Sequence, residues 1–167
     1  MVRPIASGIL EAMIARGAAD FAQGYAYPFA TQTLCRHLRV EDDWTVYNDW
    51  SSEMERVTGA GTRRAGNALP PDLIGRIVPY AQALVSERRR NPGDDLISGF
   101  VQEEVNGRSL DDPEIIGLIM AVILAGRSTT ASGIGNLVHR LAADAPLQQF
   151  LREHRLSFEK LPLRFET

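Results

Sequence analysis

Asp112-Pro-Glu-Ile-Ile-Gly-Leu-Ile-Met-Ala-Val-Ile-Leu-Ala-Gly-Arg-Ser-Thr-Thr130, continuing to Ala143, is the stretch on which the fold turns. Asp112 reads as an N-cap, Pro113 as the first helical residue and Glu114 as an acid in the first turn, where the helix dipole favours negative charge. The pattern predicts a helix of about 30 residues, or ~45 Å at 1.5 Å per residue, ending before Ala145-Pro146. Its first half is apolar almost all round, through Ile115, Ile116, Leu118, Ile119, Met120, Val122, Ile123 and Leu124. That predicts burial on every side. Its second half is amphipathic through Ile134, Leu137, Val138 and Leu141. Between them stands Ala125-Gly126-Arg127-Ser128-Thr129-Thr130. Glycine in a helix interior costs about 1 kcal/mol against alanine. Threonine hydroxyls bond back to the preceding turn and bend it. Ala121, Ala125 and Thr129 fall at i, i+4 and i+8 and form one narrow stripe. Two readings follow. A flat ligand lies on the stripe with the hydroxyl near its reactive atom, or another helix packs closely there; the spacing leaves both open.

Working outward, residues 5–19 predict a helix, with Ile5, Ile9, Leu10, Met13 and Ile14 on one face and Gly17 as a stop. Residues 20–27 read as a strand or an extended link. Pro28 opens a helix that continues to Leu38. Residues 41–57 predict a third helix. Glu41, Asp42 and Asp43 lie in its first turn, and Trp44, Tyr47 and Met54 on its apolar stripe. Residues 58–71 read as a long binding or lid loop. Asp72 is expected to cap the next helix, which runs to Arg90 and contains Pro79. Arg88, Arg89 and Arg90 read as a solvated helix end. Asp94 or Asp95 caps a short helix, Asn106-Gly107 marks a tight turn, and residues 147–154 form a last short helix.

Composition bounds the function. The chain has 167 residues and a formal charge of −3, from 18 basic and 21 acidic residues. That balance argues against a dedicated nucleic-acid binder. Hydrophobic residues make up 44%, enough to build a core. One cysteine, Cys35, excludes an internal disulfide framework and a multi-cysteine metal site; it reads as a small buried apolar residue. No metal site is expected. The N-terminal ten residues do not resemble a signal peptide, and the dense apolar run at residues 115–126 is too short for a bilayer, so a soluble cytoplasmic protein without membrane partners is expected.

Other motifs carry little chemistry. Gly61 and Gly66 have the glycine spacing of a phosphate loop, but Asn67 and Ala68 stand where that loop needs Lys and Ser or Thr. Cys35 and His37 point apart on a helix. His139 and His154 have no partners in sequence.

The central motif and its flanks resemble bacterial-type cytochrome P450s. Ala-Gly-x-x-Thr-Thr on a long helix is similar to the distal, oxygen-activating helix of that family. Phe21-Ala-Gln-Gly-Tyr-Ala-Tyr-Pro-Phe-Ala-Thr-Gln-Thr-Leu-Cys35 resembles the segment leading into the E helix. Residues 44–55 resemble the F helix, 71–90 the G helix, 91–98 the link into the H helix, and 147–154 the J helix. The resemblance implies a mainly α, partial P450 fold with a long central buried helix. Residues 1–154 are its central helical part, and 155–167 are an irregular tail resembling the start of a broken K helix.

The resemblance also implies roles. Thr129 matches the threonine that holds and helps protonate dioxygen, with Ser128 beside it where the family usually has Asp or Glu. Ala125, Gly126 and Thr130 lie toward the cofactor, heme b. Ala121, Leu124 and Ala125 face substrate. Arg127, in place of a commoner His or acid, is expected to reach a heme propionate or the surface. The implied reaction is hydroxylation of an apolar small molecule, with dioxygen and a ferredoxin-type electron donor. The cysteine loop that ligates iron in the family has no counterpart in this sequence, and Cys35 does not fit its pattern. The chain is therefore expected to be a fragment, inactive alone and prone to self-association through exposed apolar surface. The alternative is a non-catalytic all-α module or a decayed gene product.

Overall fold

The computed structural model describes residues 2–16, 20–40, 43–58 and 70–154. The expectation of mainly α structure holds. Helix α1 (Arg3–Ile14) is followed by a π-helical turn (Ala22–Ala26) that runs directly into α2 (Tyr27–Leu38). Then come α3 (Trp44–Thr58), α4 (Pro71–Arg90), α5 (Leu96–Gln102), strands β1 (Glu104–Val105) and β2 (Arg108–Ser109), the long α6 (Asp112–Ala143) and α7 (Ala145–His154). The strands pair antiparallel, Glu104 opposite Ser109 and Val105 opposite Arg108. Asn106 and Gly107 turn the hairpin at φ 55° and 76°, the left-handed pair that such a two-residue turn requires.

Helix α6 starts one residue earlier than its sequence suggests. Asp111, extended at φ −81° and ψ 167°, is the N-cap. Its carboxylate accepts from the Glu114 N–H at 2.9 Å, and the Glu114 carboxylate accepts from the Asp111 N–H at 2.9 Å. This reciprocal pair is a capping box. Asp112 is displaced into the first turn, where Arg89 reaches it at 2.7 Å. At the far end the Asp144 carboxylate accepts from the Leu147 N–H at 2.9 Å and opens α7.

The core lies between α6 and the layer formed by α2, α3, α4 and α5. Ile115, Ile116, Ile119, Ile123, Arg127 and Ala131 of α6 are buried, at three-to-four-residue spacing. The four isoleucines meet Leu38, Tyr47, Trp50, Met54, Leu73, Ile77, Val85 and Ile97, while Ala131 packs with Ala26 and Ala30 in a smaller cluster. The expected burial of α6 on every side is corrected by this arrangement. Only one face is covered, and Leu118, Ala121, Ala125 and Thr129 on the opposite face are exposed. All-round apolar composition shows that every side can be covered; which sides are covered depends on the neighbours present. The expectation that no segment is long and apolar enough for a bilayer is corrected as well, since α6 meets both criteria by length and composition.

Several local expectations also change. Residues 21–27 are helical, not extended. Phe21, Tyr25 and Phe29 sit at i, i+4 and i+8, and their rings stack at centroid distances of 5.0 and 5.8 Å. The widened turn precedes Pro28, whose nitrogen has no hydrogen for the helical ladder. Asp72 does not cap α4; Pro70 holds that position and Asp72 lies in the first turn. The arginine run is not simply solvated. Arg88 pairs with the buried Asp95 at 3.0 Å, and Arg89 donates to the Leu110 carbonyl at 2.8 Å. These contacts tie the end of α4 to the starts of α5 and α6. Gly17, the acids at 41 and 42, the glycine-rich loop at 59–69 and the tail at 155–167 lie outside the described residues.

Candidate functional site

The exposed face of α6 is the feature around which a site can be built. Ala121, Ala125 and Thr129 lie along it, one turn apart. The two alanines carry nothing beyond Cβ, so the helix presents a smooth wall there. The Thr129 hydroxyl donates to the Ala125 carbonyl at 2.6 Å. That bond occupies its proton and leaves its oxygen lone pairs available to accept from a ligand. Thr130 is also exposed, and Ser128 is half-buried at the edge of the face.

Not all the expected site residues share that face. A Cβ added to Gly126 would lie 3.6 Å from Leu34 Cδ1, so this position looks toward α2. Leu124 is half-buried and packs on the main core. The structure therefore groups Ala121, Ala125 and Thr129, places Ser128 beside them, and turns Leu124 and the side of Gly126 toward protein.

Arg127 corrects its expectation most sharply. It reaches neither the surface nor the open face, and is only 2% exposed. Its Nη1 lies 2.7 Å from Glu55 Oε2. Its Nη2 donates to Ser52 Oγ at 2.9 Å and to Asn48 Oδ1 at 3.2 Å. The guanidinium covers the Tyr27 ring at 4.2 Å, a cation–π arrangement. Thr31 completes the cluster, its hydroxyl donating to the Tyr27 carbonyl at 2.9 Å. Sequence reasoning missed this junction. Its only trace is that Asn48, Ser52 and Glu55 recur at helical spacing on α3, opposite no visible partner in sequence.

A second polar pair is half-buried against the core. Tyr80 donates a short hydrogen bond to the Asp43 carboxylate, and the Tyr47 and Trp50 rings stand edge-on to Tyr80 at 5.8 and 5.3 Å. Burial pushes the Tyr47 and Tyr80 phenols well above the ordinary tyrosine range, so both stay neutral.

The fit of a heme to these residues is one-sided. On the open α6 face Ala121 and Ala125 end at Cβ, which leaves room for a planar ligand beside them. No described residue offers an axial ligand on that wall. Cys35 is fully buried in the core among Leu38 and Tyr47, while His37 and His139 are exposed on other parts of their helices. Among the described residues no group of three His, Cys, Asp or Glu can hold a metal ion. A separate apolar groove of about 420 Å³ runs between Leu10, Phe21, Tyr25 and Phe29 on one side and Ile134 and Leu137 of α6 on the other.

Comparison with known proteins agrees with this geometry. No family model matches the chain. It is similar to a cytochrome P450 of Bacillus subtilis, 28% identical over 153 residues, which are 91% of this chain and 37% of that protein. It is similar to the erythromycin C-12 hydroxylase of Saccharopolyspora erythraea, 46% identical over 124 residues, 73% of this chain and 31% of that protein. It is also similar to cytochrome P450 109 of Bacillus spizizenii, 33% identical over 164 residues, 92% of this chain and 39% of that protein. Among solved structures, the LnmA cytochrome P450 hydroxylase of Streptomyces atroolivaceus superposes with a TM-score of 0.76 at 28% identity, covering 91% of this chain and 38% of that one. The mixed-function P450 MycG gives 0.75 at 26% identity, with 90% and 37% covered. The chain thus spans about a third of the length of the curated relatives it matches. Its helices, with the long α6 at their centre, form part of the P450 fold, and the chain belongs to the bacterial-type cytochrome P450 family.

Proposed function

We propose that this chain is the oxygen- and substrate-side part of a heme-thiolate monooxygenase that hydroxylates an apolar small molecule with dioxygen and an external electron donor, of ferredoxin type. The observation that carries the reading is the Thr129 hydroxyl on a bare alanine wall at the middle of the exposed α6 face. Heme b, when bound, supplies the activation of dioxygen. This chain's residues supply the surroundings. Ala121 and Ala125 leave room for a flat ligand. Thr129 accepts or passes a proton at Oγ1, with Ser128 beside it as a second hydroxyl. Gly126 keeps this turn of α6 close to α2, and Thr130 borders the cofactor side. Leu124 and Ala121 shape the apolar side on which a substrate packs. A hydroxyl pair moves protons less readily than a carboxylate, so proton delivery here depends on a chain of hydroxyls and water.

The reading also holds that the iron's thiolate comes from residues other than those described, in a protein that works in the cytoplasm. Carried alone, the described part exposes the α6 wall and the apolar groove beside Phe21 and Tyr25, and it self-associates through them. The test is a reduced carbon-monoxide difference spectrum of the purified chain after heme loading. The expected result is no heme-thiolate Soret band. A thiolate band that disappears in Cys35→Ser would place the buried cysteine on iron and overturn the reading.

A further inference from the structure

We propose that Arg127 is a positioning residue that fixes the height and rotation of the Ala125–Thr129 turn against α3. The inference rests on the reading of the open α6 face as a ligand wall, and its geometric part stands independently.

Arg127 and Thr129 lie two residues apart, about 200° around the helix axis at 100° per residue, so they occupy nearly opposite sides of the same turn. Whatever holds Arg127 therefore sets where Thr129 points. The hold is specific. Asn48, Ser52 and Glu55 fall on one face of α3, and one planar guanidinium meets all three while its flat face lies on Tyr27 of α2. A slide of α3 by one turn, about 5.4 Å, or a rotation by one residue, would remove at least two of these contacts at once.

Stability alone does not account for the arrangement. A buried ion pair is seldom more stable than well-packed apolar side chains of the same size, because both charges lose their water. Here Arg127 is buried at 2% exposure, Glu55 keeps 24%, and the pair is incompletely satisfied. Among the described residues, Arg127 Nε and Glu55 Oε1 are buried with no hydrogen-bond partner. What such a pair does well is select one arrangement over its neighbours. Here the selected quantity is the register of α3, which lies on the covered side of α6, relative to the turn that carries Thr129. Lysine keeps the charge but has no fork, so the inference requires arginine itself.

The experiment uses the whole chain carrying nitroxide labels at Asp49→Cys on α3 and Ser132→Cys on α6, both exposed positions. Pulsed electron-spin measurements then give the distance distribution between the helices. Diluted with unlabelled chain to remove distances between copies, the wild-type background is expected to give one narrow distribution, and Glu55→Gln, which retains an acceptor, is expected to keep it. R127K is expected to broaden the distribution about twofold or split it, as a packed interface with two arrangements does. The double variant R127M/E55L is expected to do the same while its thermal midpoint stays near that of the labelled wild type. A narrow, unshifted distribution in both R127K and R127M/E55L overturns the proposal. If the double variant does not fold, R127K and Glu55→Gln still decide it. Hemin added to the labelled chain separates the two claims. Broadening in R127K supports the positioning role with or without a hemin response at Ser132→Cys, and a missing response counts against the ligand-wall reading alone.

Discussion

The hydroxyl of Thr129 donates to the carbonyl of Ala125, 2.6 Å away and one turn behind it, on the exposed face of α6, the longest helix among the described residues. The bond closes no tertiary contact, because nothing described packs over either residue. A threonine in that position adds no packing to the core. Thr129→Ala is therefore expected to change the unfolding free energy by less than about 0.5 kcal/mol, since exposed substitutions away from caps and cores rarely do more. Urea unfolding of the two proteins checks it.

The opposite face behaves differently. Ile119 and Ile123 are 1% and 2% exposed, while Leu118 is 38% exposed. Ile123→Ala is expected to cost about 2–5 kcal/mol, the range for deleting a buried aliphatic side chain. Leu118→Ala is expected to cost a small fraction of that. Paired chemical denaturation of the two variants measures how one-sided the burial of α6 is.

Gly126 offers a gain. Its added methyl would meet Leu34 at 3.6 Å, an ordinary van der Waals contact. Gly126→Ala is thus expected to stabilise the chain by about 0.5–1 kcal/mol, through the helix propensity of alanine and the lower entropy of the unfolded chain. A higher thermal midpoint is the expected reading, and a lower one would mean that α2 cannot yield even that space.

The capping box gives a pH signature. Hydrogen bonds from Arg108 and from the Asp111 N–H hold the Glu114 carboxyl at about 2, below the ordinary 4.5. A depressed acid contributes stability that is present above its unfolded value and is lost as pH falls toward its folded one. Wild type minus Glu114→Gln is therefore expected to show a positive stability difference at pH 6 that shrinks between pH 4.5 and 2. Because Arg108 and Glu114 lie at the surface, added salt should also shrink it. Thermal unfolding against pH at two ionic strengths reads both effects.

Much of this architecture is legible in the sequence, for identifiable reasons. The end of α6 at Ala143, its proline-assisted start and the Asn106-Gly107 turn follow from local rules that need no tertiary partner. The stripe of Ala121, Ala125 and Thr129 follows from helical spacing alone. What the sequence hides depends on neighbours. The helix through Phe21, Tyr25 and Phe29 depends on ring stacking and a π-turn that a propensity reading takes for an extended link. The one-sided burial of α6 depends on which elements are there to cover it. The role of Arg127 depends on α3 residues more than seventy positions away, Ser52 and Asn48 at separations of 75 and 79. A buried cation cannot be told from a surface one until its partners are placed.

The most direct test of the central claim is a graft. The matched part of this chain replaces the corresponding segment of the erythromycin C-12 hydroxylase, with which it is 46% identical over 124 residues. The purified chimera is reduced and its carbon-monoxide difference spectrum recorded. If the open face of α6 is the oxygen-side wall of a P450 site, the chimera shows the heme-thiolate Soret band, and Thr129→Ala within it keeps the band while product formed per dioxygen consumed falls about a hundredfold, the lower end of the range for loss of a proton-transfer group. A chimera that folds cooperatively yet shows no heme-thiolate band would contradict the account.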